Sequence, residues 1–182
     1  QFNLPFGVAD NFVIDGQSYL IPMVTEEPSV IAAASNGAKR VAAGGGFTTT
    51  VKERLLKAQV IIANVTDFAD FTIRFNEIAE NLKQVANDAH PSIVRRGGGL
   101  HHFSINQVGS KFVEVELWID PVAAFGANLA NTIAEAVAQY LQTNMLNDQE
   151  LITAAILSNS GQKMLAKVTC KVPFEVLATK KM

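Results

Sequence analysis

Ile119-Asp120-Pro121-Val122-Ala123-Ala124-Phe125-Gly126-Ala127-Asn128-Leu129-Ala130-Asn131-Thr132-Ile133-Ala134-Glu135-Ala136-Val137-Ala138-Gln139-Tyr140 joins two different periodicities. Upstream, Phe112–Ile119 alternates apolar and acidic residues and closes on Trp118-Ile119, which predicts a strand with one buried face. Downstream, Leu129, Ile133, Ala136, Val137, Tyr140 and Leu141 recur at helical spacing. Phe125-Gly126-Ala127-Asn128 between them is small and turn-forming. A strand that turns through small residues into a helix leaves backbone N–H groups free at the helix start. With the helix dipole, such groups suit a phosphate, and Gly126 and Ala127 let a ligand come close. The same residues also describe an ordinary strand-to-helix corner, and one glycine carries less than a full GxGxxG. On pattern alone both readings stand.

Working outward, Leu100–Gln107 and Lys111–Ile119 form a hairpin across Val108-Gly109-Ser110. Gly97-Gly98-Gly99 before it reads as a flexible joint. Phe71, Phe75, Ile78, Leu82, Val85 and Ala86 mark an amphipathic helix that His90-Pro91 ends. Lys57–Val65 is a strand with Val60-Ile61-Ile62-Ala63 as its buried run. After the quoted helix, two apolar segments, Ile152–Leu157 and Ala166–Val172, flank Ser158-Asn159-Ser160-Gly161 and compete for one strand. From Lys57 the order is therefore strand, helix, strand, strand, helix, strand, the split βαβ pattern of an α+β, ferredoxin-like domain.

The first 55 residues stand outside that unit. Leu4–Val24 reads as a hairpin with Asp15-Gly16 at its turn. Glu26-Glu27-Pro28-Ser29 opens a helix: Pro28 suits the first helical position, and the two carboxylates complement the helix dipole. That helix, through Lys39, is made of small residues on every face, a composition suited to close packing against other backbone. After Gly44-Gly45-Gly46, Phe47–Thr50 is β-prone. This segment is read as a piece of a second domain.

Composition narrows the classes. Apolar residues make up 48% of the 182 and charged residues 18%, which indicates a folded chain. A formal charge of -2 argues against a partner held by its phosphate backbone. Phe103 and Trp118 sit in acidic or neutral surroundings, unlike the aromatics of an RNA-binding sheet. No apolar run approaches the ~18–20 residues of a membrane span, and the N-terminus carries no signal-peptide pattern. The expectation is a cytoplasmic protein with neither nucleic acid nor membrane as partner. The single cysteine, Cys170, is read as a small core residue of a reduced protein. The chain lacks an initiator Met and opens in structured sequence, which reads as a fragment or processed product. No metal is expected: in the pair His101-His102, adjacent strand residues point to opposite faces, and a zinc site needs more ligands.

Several motifs together resemble one family. Leu4-Pro5-Phe6-Gly7-Val8-Ala9, Val24-Thr25-Glu26-Glu27-Pro28-Ser29-Val30-Ile31-Ala32-Ala33-Ala34-Ser35, Gly45-Gly46-Phe47, Gly97-Gly98-Gly99, Gly126-Ala127-Asn128-Leu129-Ala130-Asn131-Thr132 and Ile156-Leu157-Ser158-Asn159 are similar, collinearly, to 3-hydroxy-3-methylglutaryl-CoA (HMG-CoA) reductase in its bacterial class II form. The resemblance implies reduction of HMG-CoA to mevalonate with two NAD(P)H, or the reverse reaction with CoA. It further implies a large domain for the thioester, an inserted ferredoxin-like domain for the dinucleotide, and a site formed between subunits of a dimer. On this chain it assigns residues 1–55 to part of the large domain, 56–175 to the small domain and 176–182 to a tail leading back. Glu27 falls at the family's catalytic glutamate, where a carboxyl group near the thioester carbonyl moves a proton. Ser29 falls where the HMG moiety is contacted. Phe125, Gly126 and Asn128 fall on the cofactor turn, joined by Asn131 and Asn159. His90 falls near the position that selects between NADH and NADPH. With Arg95 and Arg96 beside it, His90 leans toward NADPH, while as a helix C-terminal cation it needs no ligand.

The chain also departs from the pattern. The family usually has an acidic residue where Ala123 stands, a Met where Phe125 stands, and a basic–acidic pair where His101-His102 stands. Its catalytic Lys, Asp and His lie in sequence beyond the small domain, so the 182 residues by themselves are expected to be inactive. The alternative is a non-catalytic nucleotide- or CoA-binding or interaction module of the same descent. Exposure of the small-residue helix predicts a homodimer or higher oligomer.

Overall fold

A computed structural model describes Asn3–Ala178; of the tail assigned to 176–182, the last four residues lie outside the described residues. The elements are β1 (Phe6–Ile14), β2 (Gln17–Val24), α1 (Pro28–Ala42), β3 (Phe47–Val51), β4 (Leu56–Ala63), α2 (Phe68–Asp88), α3 (Pro91–Val94), β5 (Gly99–Val108), β6 (Phe112–Asp120), α4 (Ala127–Asn144), β7 (Leu151–Leu157), β8 (Ala166–Cys170) and α5 (Phe174–Leu177). They form two compact units, divided at Val51/Lys52 and at Leu165/Ala166.

The second unit is the ferredoxin-like one. Its sheet runs β5-β6-β4-β7, antiparallel at every step. The strand alternation sets the register. Ala58↔Leu117, Val60↔Val115 and Ile62↔Val113 pair on the buried face. Lys57↔Trp118, Gln59↔Glu116 and Ile61↔Glu114 pair on the other. There Lys57 Nζ bridges Glu114 at 2.9 Å and Glu116 at 2.5 Å. Both long helices lie on the apolar face. The α2 side chains Phe71, Phe75, Leu82 and Ala86 meet the α4 side chains Leu129, Ile133, Val137 and Leu141 in one core with the sheet. The Asp67 side chain caps α2 by accepting from Asp70 N at 2.9 Å.

The competition for the fourth strand is settled by β7. Ile152, Ala155 and Leu157 pack against the core from beside β4. β8 pairs instead with β3 in the first unit, so the ferredoxin-like unit ends at Leu165 and does not run on to 175. Cys170, expected in a core, is exposed. Its strand alternates as a core strand does, but every residue of β8 is exposed within its unit. Pairing position decides burial, and alternation alone does not report it.

Two further expectations are corrected. Gly98 and Gly99 of the glycine triplet form a packed turn, while a Cβ on Gly97 would face open space. A Cβ on Gly98 would lie 2.5 Å from the Asp120 carbonyl oxygen, and Gly99 holds φ +109 beside Asn87, whose Oδ1 accepts from Leu100 N at 3.0 Å. His101 and His102 do not point to opposite faces. The β5–β6 register shifts between Leu100 and His102, and this bulge brings the two Nδ1 atoms within 2.8 Å. His102 stacks on Trp118, centroids 6.0 Å apart, while Lys163 Nζ lies 4.3 Å from the same indole ring.

The first unit has sheet order β2-β1-β3-β8. Asp15 and Gly16, with φ 48 and 81, form the tight turn between β1 and β2. The Asp15 carboxylate accepts from Thr49 N at 2.8 Å and from the Thr49 hydroxyl, which holds its pKa below the usual 3.8. Helix α1 begins at Pro28 and buries Ala38 and Val41; most of its other residues are exposed within this unit.

Arg74 of α2 reaches the α4–β7 connection. Its Nη2 donates to Glu150 Oε1 at 2.7 Å and its Nη1 to the Met145 carbonyl oxygen at 2.8 Å. Glu150 is the buried partner, at 5% exposure. Arg74→Met leaves that carboxylate unpaired and should cost about 3 kcal/mol, read as a lower urea midpoint of the second unit from the fluorescence of Trp118, the only tryptophan. Burial against Trp118, then the positive Lys163, then His101, lower the His102 pKa from the usual 6.5. A histidine with a depressed folded pKa binds more protons unfolded. Its contribution is therefore complete above about pH 6.5 and is lost as pH falls toward the folded value. The urea midpoint should fall between pH 7 and pH 5.5, and fall less in His102→Gln; equal slopes in the two proteins contradict this.

Candidate functional site

The turn after β6 is built from local hydrogen bonds. Asp120 Oδ1 accepts from Val122 N at 2.8 Å, and Pro121 O accepts from Ala124 N at 2.9 Å. Between them Val122 is held at φ 54, an uncommon conformation for a β-branched residue. Gly126, at φ 89, is the N-cap of α4 and offers the helix no side-chain cap. The positive φ is what calls for glycine here; a Cβ would in addition push aside the Leu56 Cδ1 at the start of β4. The outcome is an eighteen-residue helix whose first turn opens outward with its dipole unopposed by a capping side chain.

Two clefts flank that helix start. The first, about 470 Å³, lies between Ala124–Leu129 and the segment carrying His90, Ser92, Ile93 and Arg96. His90 Nδ1 and Ser92 Oγ are 3.1 Å apart on its wall. The second, about 350 Å³, is lined by Arg54, Leu56, Leu157, Met164 and the Ser158–Gly161 loop. Phe125 and Ala127 line both, and the Phe125 ring, 89% exposed, stands between them.

The residues singled out from the sequence are distributed as follows. His90, Phe125, Gly126 and Asn128 meet at the first cleft. Asn159 faces Phe125 across the second. Asn131 lines neither, and its Oδ1 accepts from Leu157 N at 2.8 Å. Of the two arginines, Arg96 reaches the first cleft and Arg95 is not among its lining residues. Glu27 and Ser29 belong to the first unit. Glu27 is the N-cap of α1, and the Ser29 hydroxyl donates to Glu27 Oε1. Sequence reasoning did not single out Ser92, Arg54, Ser158, Ser160 or Met164 for the site. Ser92 had a usable signal, its two-residue spacing from His90. Arg54 had none, because it sits in a connection without periodicity.

Comparison with known proteins agrees with this fold. The family model for hydroxymethylglutaryl-coenzyme A reductase matches residues 1–182. An α+β chain with this ferredoxin-like unit, matched along its whole length, belongs to the hydroxymethylglutaryl-coenzyme A reductase family, a family of oxidoreductases. It is 38% identical over 144 residues to 3-hydroxy-3-methylglutaryl-coenzyme A reductase of Archaeoglobus fulgidus, covering 78% of this chain and 33% of that protein. It is 27% identical over 176 residues to a probable reductase of Borreliella burgdorferi, covering 96% of this chain and 39% of that protein. Among solved structures, the class II reductase of Streptococcus pneumoniae bound to NADPH in open conformations superposes with a TM-score of 0.86 at 34% identity, covering 98% of this chain and 48% of that one. A second structure of the Streptococcus pneumoniae reductase gives a TM-score of 0.86 at 35% identity, covering 100% and 43%. The chain thus spans between a third and half of the length of these relatives.

Proposed function

We propose that the second unit is the dinucleotide-binding part of an HMG-CoA reductase, with NADPH preferred over NADH, and that the first unit contributes Glu27 and Ser29 toward the HMG moiety. The observation that carries the nucleotide reading is the start of α4 opening, without a side-chain cap, between two clefts that each hold one arginine. Both cleft volumes fall in the range of small-molecule sites. In this reading the backbone N–H groups of Ala127, Asn128 and Leu129 hold a pyrophosphate. Arg96, with His90 and Ser92, receives the ribose 2′-phosphate, where a guanidinium pairs well with phosphate oxygens. The nicotinamide half lies toward Arg54 and Asn159, and Phe125 separates the two halves. NADPH, when bound, supplies hydride.

Glu27 would hold the proton exchanged with the substrate carbonyl oxygen, and the Ser29 hydroxyl, which now donates to Glu27, would orient that carboxyl or turn to the HMG carboxylate. In the complete family reaction HMG-CoA is reduced to mevalonate, or mevalonate is oxidised with CoA. The Streptococcus pneumoniae relative with NADPH bound supports the choice of cofactor. A second reading, a nucleotide- or CoA-binding module without turnover, is favoured by Ala123 and Phe125 standing where the family has an acidic residue and a Met.

A fluorescence titration of this chain with NADPH and NADH tests the nucleotide reading. NADPH should bind more tightly, and Arg96→Ala should weaken NADPH roughly tenfold, the equivalent of about 1.4 kcal/mol, with little change for NADH. Saturable binding of neither would defeat the reading. We further propose that the 182-residue chain self-associates through the exposed small-residue face of α1 and does not turn over HMG-CoA alone. Light scattering at micromolar concentration should report a dimer or larger, and HMG-CoA-dependent NADPH oxidation should stay at background. A monomer, or oxidation at an enzymatic rate, would refute the respective part.

A further inference from the structure

The side-chain oxygen of Asn131 has its partner within the protein. Strand β7 is an edge of its sheet. At its end Ser158 N donates to Lys57 O across the ladder, at 2.8 Å. Alternate N–H groups of an antiparallel strand face opposite sides, so Leu157 N points away from β4, where among the described residues no further strand pairs. Asn131, one turn into α4, supplies the acceptor: its Oδ1 lies 2.8 Å from Leu157 N at a half-buried position. Beyond this point the chain leaves the ladder. Apart from the Ser158 N tie to Lys57 O, the hydrogen bonds of the loop among the described residues are internal, Ser160 N to Ser158 Oγ at 3.3 Å and Met164 N to Gly161 O at 3.0 Å. The next backbone tie to another segment is Leu55 N to Lys163 O at 2.9 Å. The loop 158–161 is one wall of the second cleft, and Phe125 and Ala127 at the start of α4 are the opposite wall. Asn131 joins the element that bears one wall to the strand end that bears the other.

We propose that Asn131 is a positioning residue. By holding Leu157 N it sets the distance between the α4 start and the Ser158–Gly161 loop, and so controls affinity for the nicotinamide half of the dinucleotide without touching it. This rests on the nucleotide-binding reading of the same site. It separates cleanly from direct contact, because the two roles use different atoms. Positioning needs the Oδ1 acceptor, which Asp retains. A direct contact to a phosphate needs the Nδ2 donor, which Asp replaces with a repelling charge.

Three proteins, wild type, Asn131→Ala and Asn131→Asp, are titrated with NADPH and with adenosine 2′,5′-bisphosphate, which carries the phosphorylated adenosine half alone. Amide exchange of residues 157–161 is followed by mass spectrometry in the absence of nucleotide. Asn131→Ala should weaken NADPH roughly tenfold, the size of one lost buried hydrogen bond, and leave the bisphosphate within twofold of wild type. Asn131→Asp should bind NADPH within threefold of wild type. Exchange at 157–161 should speed up in the Ala protein and stay near wild type in the Asp protein. The proposal is overturned if Asp binds NADPH more weakly than Ala, if Ala binds NADPH as wild type does, or if Ala weakens both ligands equally. Wild type binding neither ligand removes the underlying nucleotide reading, and unchanged exchange in the Ala protein then removes the positioning role as well. Should Asn131→Ala not fold, Asn131→Ser, whose hydroxyl falls short of Leu157 N, replaces it with the same expected outcomes.

Discussion

The left-handed turn at Gly126, packed beside Leu56, is the constraint on which the site depends. Gly126 takes a left-handed conformation to turn the chain from β6 into α4, where any side chain would be strained and would also displace the end of Leu56 at the first position of β4. Start of strand and start of helix are thereby pressed together. The first turn of α4 is left to open outward beside them, and the two clefts form on either side of that point.

The far end of the same helix is held by a different interaction. Met145 follows the last turn of α4, and its carbonyl oxygen accepts from Arg74, which also grips the buried Glu150 with two nitrogens. An ion pair of this kind adds little net stability when intact but is costly to break, because one charge would remain in a place water does not reach. The helix is therefore clamped to β4 at its N-terminus and to α2 at its C-terminus. Pre-set geometry at the helix start is what an anion site needs, since donors that do not have to be reorganised bind more strongly.

Each cleft holds one arginine, Arg96 beside His90 and Ser92 in the first and Arg54 near Asn159 in the second, and Leu56, Leu157 and Met164 make the second the more apolar.

Much of this was legible in the residues. The 3.6-residue repeat of α2 and α4, the alternation of β4 and β6, the Asp15-Gly16 turn and Pro28 at the head of α1 are local patterns, and local sterics and burial of one face are enough to produce them. The strand-to-helix corner at Phe125-Gly126 and the end of α2 before Pro91 were legible for the same reason, whereas His90 as a site residue rested on the family resemblance. Other features turn on which distant segment each stretch meets. β8 alternates like a core strand, yet it lies exposed because β7 has taken the place beside β4. The glycine triplet reads as loose until Asp120 and Asn87 close on it, and the two histidines read as opposed until a bulge in β5 turns them together. Asn131 stands in a stretch that only the family resemblance tied to a cofactor, and its oxygen meets a strand end 26 residues away. Local pattern sets which elements form, because each residue's backbone preference and polarity act over a few neighbours. Strand partner, burial and the use of each polar atom belong to the assembled molecule, where hydrogen bonds and packing are shared among segments far apart in the chain.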